Sequence, residues 1–317
     1  MPEDTTLQAM FGAPDTDTFM GIDACPSPAD VDAAIAVLGI PCATPYVSVG
    51  PYCAAAPRAI RETIAVDAGN REHFDFDCGG PLFPDPAVTA VDCGDLDLDA
   101  ADPAANRAAI RAAITDLLDR KAVPVVLGGD DSVPIPVLDA YAGHGPITIL
   151  QIDAHIDWRN EVGGERWGLS STMRRASEMD HVAAIHQIGQ RGVGSARPGD
   201  RQAALDWGVH FTSARELCAD GPQRVLDRIE PGSDIVICFD CDALDPSIMP
   251  GVIGRAPGGL TYWQAVDLIE GAARRGRIAG FNLVEFMPDR DVDGLGALTA
   301  GRVMATAMGV IARQVAG

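Results

Sequence analysis

The sequence predicts an α/β protein, a three-layer α/β/α sandwich around a mostly parallel sheet of about eight strands, and three observations carry that prediction. Short apolar segments of strand length alternate with stretches of helical character from residue 33 to the end of the chain. Acidic motifs follow several of those segments directly, where open parallel sheets place their ligands, beyond the carboxyl ends of the strands. Across 317 residues there is no linker, internal repeat or low-complexity run, which fits one large domain.

Taken in order, residues 1–32 are rich in Pro, Asp and Gly without periodicity and read as an irregular N-terminal segment, leaving a single domain over 33–317. Ala33–Ile40 reads as the first buried strand. A loop from Pro41 carrying Tyr46, Gly50 and Tyr52 leads into a helix over Ala55–Val66. Strands follow at Val88–Cys93, Val123–Leu127 and Ile147–Ile152, with helices near Pro103–Arg120 and Val133–Ala142 between them. Further strands fall at Ala183–Ile188, Val209–Thr212, Asp234–Phe239 and Ile278–Val284, separated by helices near 201–206, 222–229 and 261–275. A last helix over Gly296–Val315 closes the chain, and right-handed crossovers are expected throughout.

Composition excludes several classes of partner. Net charge is −21, from 45 acidic and 24 basic residues, which argues against nucleic acid or an anionic membrane and favours a cationic small molecule. No apolar run approaches the roughly 18 to 20 residues of a membrane span. Met1-Pro2-Glu3-Asp4 does not open a signal peptide, so the expected location is the cytoplasm. The eight cysteines lack the dense spacing of a disulfide scaffold and are expected to be reduced. Cys238 and Cys241 stand in a C-x-x-C spacing, but no second pair lies nearby, and Cys238 reads as a small buried residue.

The chemistry is concentrated in two stretches. Leu150-Gln151-Ile152 runs into Asp153-Ala154-His155-Ile156-Asp157, and Ile235–Phe239 runs into Asp240-Cys241-Asp242-Ala243-Leu244-Asp245-Pro246. In an extended segment, side chains at i, i+2 and i+4 share a face, so each stretch is expected to aim its acids and imidazole at one point. Carboxylates together with an imidazole suit manganese, zinc, nickel or iron better than magnesium or calcium. An acid after a strand often does no more than cap a turn, but that bland reading has to be invoked twice here, and a third time for Gly128-Gly129-Asp130-Asp131-Ser132.

In that order and spacing, Gly-Gly-Asp-x-Ser, Asp-Ala-His-x-Asp and Phe-Asp-x-Asp-x-x-Asp-Pro resemble the ureohydrolase family of arginases and agmatinases, in its agmatinase-like branch, over nearly the whole chain. The resemblance implies an arginase-like fold and two divalent metal ions, Mn2+ first and Ni2+ or Zn2+ next. It assigns Asp131, Asp153, His155, Asp157, Asp240 and Asp242 as metal ligands, with Asp153 and Asp240 bridging. Glu285, after Phe281-Asn282-Leu283-Val284, matches the glutamate that receives the guanidinium of the substrate; Glu285 and Asp157 are the expected catalytic residues. The implied reaction is cleavage of a guanidino C–N bond, in agmatine or another guanidino compound, to urea and an amine. A homo-oligomer, trimer or hexamer, is the implied assembly, and a hetero-oligomer with a homologue is the variant of it.

Two positions depart from the family pattern. Asp131 stands where a metal-binding histidine is usual, and Leu169 where many members carry a proton-transfer histidine worth about 10²- to 10⁴-fold in rate. His144 and His210 are the candidates to take over that second role. The competing readings are a catalytically impaired subunit that partners an active homologue, and a single-zinc amide hydrolase. Arg159 and Asn160 fall where arginases contact the far end of their substrate.

Overall fold

The computed structural model describes residues 16–317. Residues 1–15, and with them half of the N-terminal segment and the stretch read for a signal peptide, lie outside the described residues. One sheet of nine strands, all pairings parallel, runs through the middle of the molecule. The strands are β1 (Asp23–Ala24), β2 (Ile35–Ile40), β3 (Ala90–Asp95), β4 (Val123–Gly128), β5 (Ile147–Ile152), β6 (Val182–Ile188), β7 (His210–Thr212), β8 (Asp234–Asp240) and β9 (Arg277–Val284). The additional strand is β1, whose Asp23 pairs with Val91 at the sheet edge. Two residues are too short to show a period of two, so that part of the N-terminal segment carried no strand signal.

The pleat sorts each strand's side chains between two cores. Ile35 and Val37 of β2 join one apolar cluster and Ala36 and Leu38 the other, the division a sheet covered on both faces requires. Helices α1 (Ala56–Ile64), α8 (Tyr262–Arg275) and α9 (Leu295–Ala316) pack on the first face; α2 (Pro103–Asp119) and α3 (Pro134–Asp139) pack on the second. Helix α9 is long and apolar enough to cross a membrane by composition, contrary to the sequence reading, yet 83% of its apolar window is buried inside the protein. Small residues broken by Arg302 and Arg313 hid that run from inspection. Helices α4 (Thr172–Ala176), α5 (Pro198–Trp207), α6 (Ala214–Asp220) and α7 (Gln223–Leu226) complete the set among the described residues. The helix expected over 222–229 is thus a single turn, and α6 was missed although Ser213 and Glu216 form its capping box.

Strand order is β1-β3-β2-β4-β9-β8-β5-β6-β7. Sequence neighbours β4 and β5 are therefore separated by β9 and β8, and this break in the winding is where a crevice opens. The register brings the four strand ends level: Leu127 pairs with Leu283, Leu283 with Phe239, and Phe239 with Ile152. The next residues out are Gly128, Val284, Asp240 and Asp153, so the acidic motifs of all four central strands emerge side by side.

Candidate metal centre

Each motif reaches the crevice by a local device. A Cβ on Gly129 would lie 2.2 Å from the carbonyl oxygen of Pro41, so only glycine lets the chain after β4 pass the β2 loop and deliver Asp131. Asp153 Oδ1 accepts the N–H of His155 at 2.6 Å, and Asp240 Oδ1 that of Asp242, also at 2.6 Å. These turns curl the chain straight after the strand. The extended i, i+2, i+4 backbone expected here therefore gives way after Asp153 and Asp240, since Cys241–Ala243 is a 3-10 turn and Asp157 sits at φ +42°, yet the side chains of Asp153, His155 and Asp242 still converge. Glu285 sits at φ +66° with its N–H donating to the Gly129 carbonyl at 2.8 Å. A non-glycine residue in this region stores about 1 to 3 kcal/mol, and such outliers gather at functional sites.

Two clusters result. Asp153, His155 and Asp242 bring one potential ligand atom each to within 4.8 Å of one another, and Asp131, Asp153 and Asp240 do the same. Asp153 belongs to both. Asp157 lies outside both sets; its Oδ2 accepts a hydrogen bond from Gln151 Nε2 at 3.1 Å. The same amide donates to Asp153 Oδ2 at 2.6 Å, and Gln187 Nε2 donates to Gln151 Oε1. Gln151 and Gln187 were missed in the sequence, where the available signal was a buried amide one residue from the end of a strand.

The electrostatics follow from burial. Asp131, Asp153, Asp157 and Asp240 are all pushed above the usual carboxylate range, by desolvation first and next by repulsion from neighbouring carboxylates, with Asp242 the foremost for Asp153 and Asp240. Burial opposes the charge on His155, but hydrogen bonds to Asp153 and Asp242 outweigh it and push the imidazole up to about 12. His155 Nδ1 lies 2.9 Å from Asp242 Oδ2, so its proton takes the place a cation would fill between them. Burial likewise opposes the charge on Asp242, and the His155 contact overcomes it and holds that carboxyl below its ordinary value. Asp131 Oδ2 is buried with no hydrogen-bond partner among the described residues. Oxygen-rich donors with one imidazole, an orphaned carboxylate oxygen and crowded like charges fit divalent cations of the manganese or zinc kind.

That crowding has a thermodynamic consequence. An aspartate whose folded pKa is raised imposes no penalty below its unfolded value of about 4, and imposes the full penalty once pH passes the raised value. His155 adds stability that is lost on the same side, as pH climbs from about 6.5 toward its folded value, while the contribution of Asp242 is complete before the window opens. Chelated protein should therefore melt at progressively lower temperature between about pH 5 and pH 8, with Asp131→Asn shallowing the slope and Mn2+ restoring the alkaline loss. A melting temperature that climbs across this window in chelator would contradict the arrangement.

The clusters open on a cleft of about 270 Å³ lined also by Glu285, Arg159, Leu169 and Arg197. Glu285 is 4% exposed, and burial followed by repulsion from Asp130 pushes its carboxyl up to about 8. Leu169 lies in the cleft wall, while neither His144 nor His210 lines it. His144 lies 3.7 Å from Asp119, and His210 stacks on His186 across β6 and β7. Asp130, Ser132 and Asp245 serve the turns: Asp130 Oδ1 accepts from Ser132, and Asp245 accepts from Ser247, Gly258 and Gly259. All eight cysteines are free, and Cys238 is buried.

The arginase family's sequence profile matches residues 33–309. A mitochondrial arginase of Medicago truncatula is 29% identical over 286 residues, covering 86% of this chain and 81% of that one. The mitochondrial guanidino acid hydrolase of Homo sapiens is 28% identical over 284 residues, covering 88% and 78%. A crystal structure of a hypothetical agmatinase from Burkholderia thailandensis superposes with a TM-score of 0.81 at 25% identity, over 96% of this chain and 93% of the other. With a family profile spanning strands β2 to β9 and the motifs gathered at the sheet's centre, this chain belongs to the arginase family and is a hydrolase of guanidino compounds.

Proposed function

We propose that this protein is a metal-dependent amidine hydrolase of the agmatinase-like branch that releases urea from an ω-guanidino acid. The observation that carries the reaction is the pair of clusters sharing Asp153 beside the buried Glu285 carboxylate on one cleft. Asp131, Asp153, His155, Asp240 and Asp242, with Asp157 at their edge, would hold two divalent ions, manganese first. When bound, such ions supply Lewis acidity and a water nucleophile at neutral pH. Glu285 receives the guanidinium, and the run from His155 to Arg159 forms one wall of the cleft. Water adds its oxygen to the guanidinium carbon and the C–N bond to the tail breaks. Its two hydrogens let the amine leave as an ammonium, so the balance closes without an added acid. Leucine at 169 therefore alters the rate of proton delivery and not the stoichiometry.

The tail is read from charge. In a chain of net charge −21, Arg159 and Arg197 face the cleft from the loops after β5 and β6, and neither side chain forms a salt bridge or hydrogen bond among the described residues. Arginines are the side chains best matched to a carboxylate, which supports a guanidino acid over agmatine, whose far end is an ammonium that two arginines would repel. The experiment is one panel scored by urea: manganese-loaded protein against guanidinobutyrate, guanidinopropionate, arginine, agmatine and a simple alkylguanidine. Guanidino acids should exceed agmatine in kcat/KM by about 10-fold or more, a margin that Arg197→Ala and Arg159→Ala reduce. Preference for agmatine would refute the carboxylate tail; silence toward every member with two ions bound would refute the hydrolase.

A further inference from the structure

Glu285 is held by more than its own strand. Tyr52 Oη lies 2.7 Å from Oε1 and 2.8 Å from Oε2 of Glu285, and the N–H of Asp131 donates to Oε1 at 2.9 Å. Glu285 lines the cleft and Tyr52 does not, so the phenol approaches the carboxylate from the side away from the substrate. A carboxylate offers about four acceptor positions. One O–H and one N–H occupy two of them from behind, which leaves two, the number a guanidinium uses in a forked pair.

The loop that carries Tyr52 is built to deliver it. Between β2 and α1 the chain is tied to the site at two other points: the Thr44 N–H donates to Ser132 Oγ at 2.8 Å, and the Tyr46 ring lies over Gly168, where a Cβ would meet it at 2.0 Å. Gly50 turns the chain at φ +66°, with its N–H on the Tyr46 carbonyl at 2.9 Å. Burial first, then the neighbouring Glu285 charge, pushes the Tyr52 phenol far above its ordinary value, so it remains an O–H donor at every working pH.

We propose that Tyr52 is a positioning residue for the substrate's guanidinium: its hydroxyl fixes the Glu285 carboxylate from behind so that the two remaining acceptor positions face the cleft. This rests on the reading of Glu285 as the guanidinium receptor. Tyr52→Phe keeps the ring and removes only the donor. On the manganese-loaded holoenzyme it should leave the protein folded with metal content at the wild-type value and raise KM for the best guanidino substrate by about 10- to 100-fold, with kcat changed far less, because the contact serves ground state and transition state alike. Guanidinium chloride, used as a dead-end probe in calorimetry, should bind more weakly by a similar factor.

The control is the same substitution in a Glu285→Gln background. If Tyr52 acts through the carboxylate, its removal costs little more there. Wild-type kinetics in Tyr52→Phe, or an equal loss in both backgrounds, overturns the proposal and leaves the phenol a loop anchor. Wild-type kinetics in Glu285→Gln alone overturns the reading beneath it, and the two failures are told apart by which single variant is silent.

Discussion

Asp153→Asn abolishes urea release and binuclear metal binding while the sheet stays folded: that is the largest effect the structure predicts. Asp153 is fully buried and is the one residue common to both clusters. Each of its oxygens is committed, Oδ1 to the His155 N–H at 2.6 Å and Oδ2 to Gln151 Nε2 at 2.6 Å. An asparagine supplies a single acceptor oxygen and sets an N–H₂ against another donor, so one of these contacts is lost along with the charge that both cation positions share. Losing several kcal/mol of metal-borne stabilisation corresponds to a rate lower by on the order of 10³-fold or more. Asp240→Asn differs instructively. It removes a member of the Asp131 cluster alone and leaves Asp153, His155 and Asp242 together, so one ion per chain should remain. Elemental analysis beside the urea assay separates the cases, and two ions retained in Asp153→Asn would show that the bridging role belongs elsewhere.

Much of this centre was legible because its parts are local. Apolar runs ending in acids at Asp153, Asp240 and Glu285 mark strand ends, and strand ends are where a parallel sheet puts its ligands. Nothing local reveals that β9 and β8 insert between β4 and β5, since that order is settled by pairings between segments far apart in the sequence, such as Val125 with Phe281 and Ile147 with Asp234. The backbone path to Asp157 was not legible for a related reason: alternation was assumed to continue past Ile152, whereas the Asp153 carboxylate captures the His155 N–H and bends the chain, and Asp157 reaches the cleft from a left-handed φ instead. Gln151 and Gln187 were passed over as strand filling, though a buried amide must find partners and here it finds the carboxylates. Tyr52 was visible as an aromatic residue in a loop that the family resemblance places near the mouth of the site, with no partner indicated. Its contact with Glu285 spans 233 positions and depends on turns at Gly50 and Gly129 that no periodicity encodes.

Glu285→Gln should separate substrate capture from metal binding. Glu285 belongs to neither cluster, so both ions stay, and glutamine fills nearly the same volume at a site only 4% exposed. What changes is the acceptor count and the charge. The amide has one oxygen to divide among the Tyr52 hydroxyl, the Asp131 N–H and the substrate, and its N–H₂ faces a guanidinium that has only donors. Removing one partner of a buried, hydrogen-bonded charge pair costs about 2 to 5 kcal/mol, which places the fall in kcat/KM at about 10²- to 10³-fold. Glu285→Asp keeps the charge but draws the carboxylate back by one methylene, out of line with Tyr52 and the Asp131 amide, and should fall between wild type and glutamine. The departure at Asp131 sharpens the expectation. A carboxylate in place of the family's usual histidine leaves the Glu285 charge more crowded, so a neutral residue at 285 relieves repulsion in the free protein even as it weakens substrate binding. Glu285→Gln should accordingly melt no lower than wild type in the presence of metal, and a variant that lost an ion, or turned over the best substrate unchanged, would remove Glu285 from the role of guanidinium receptor.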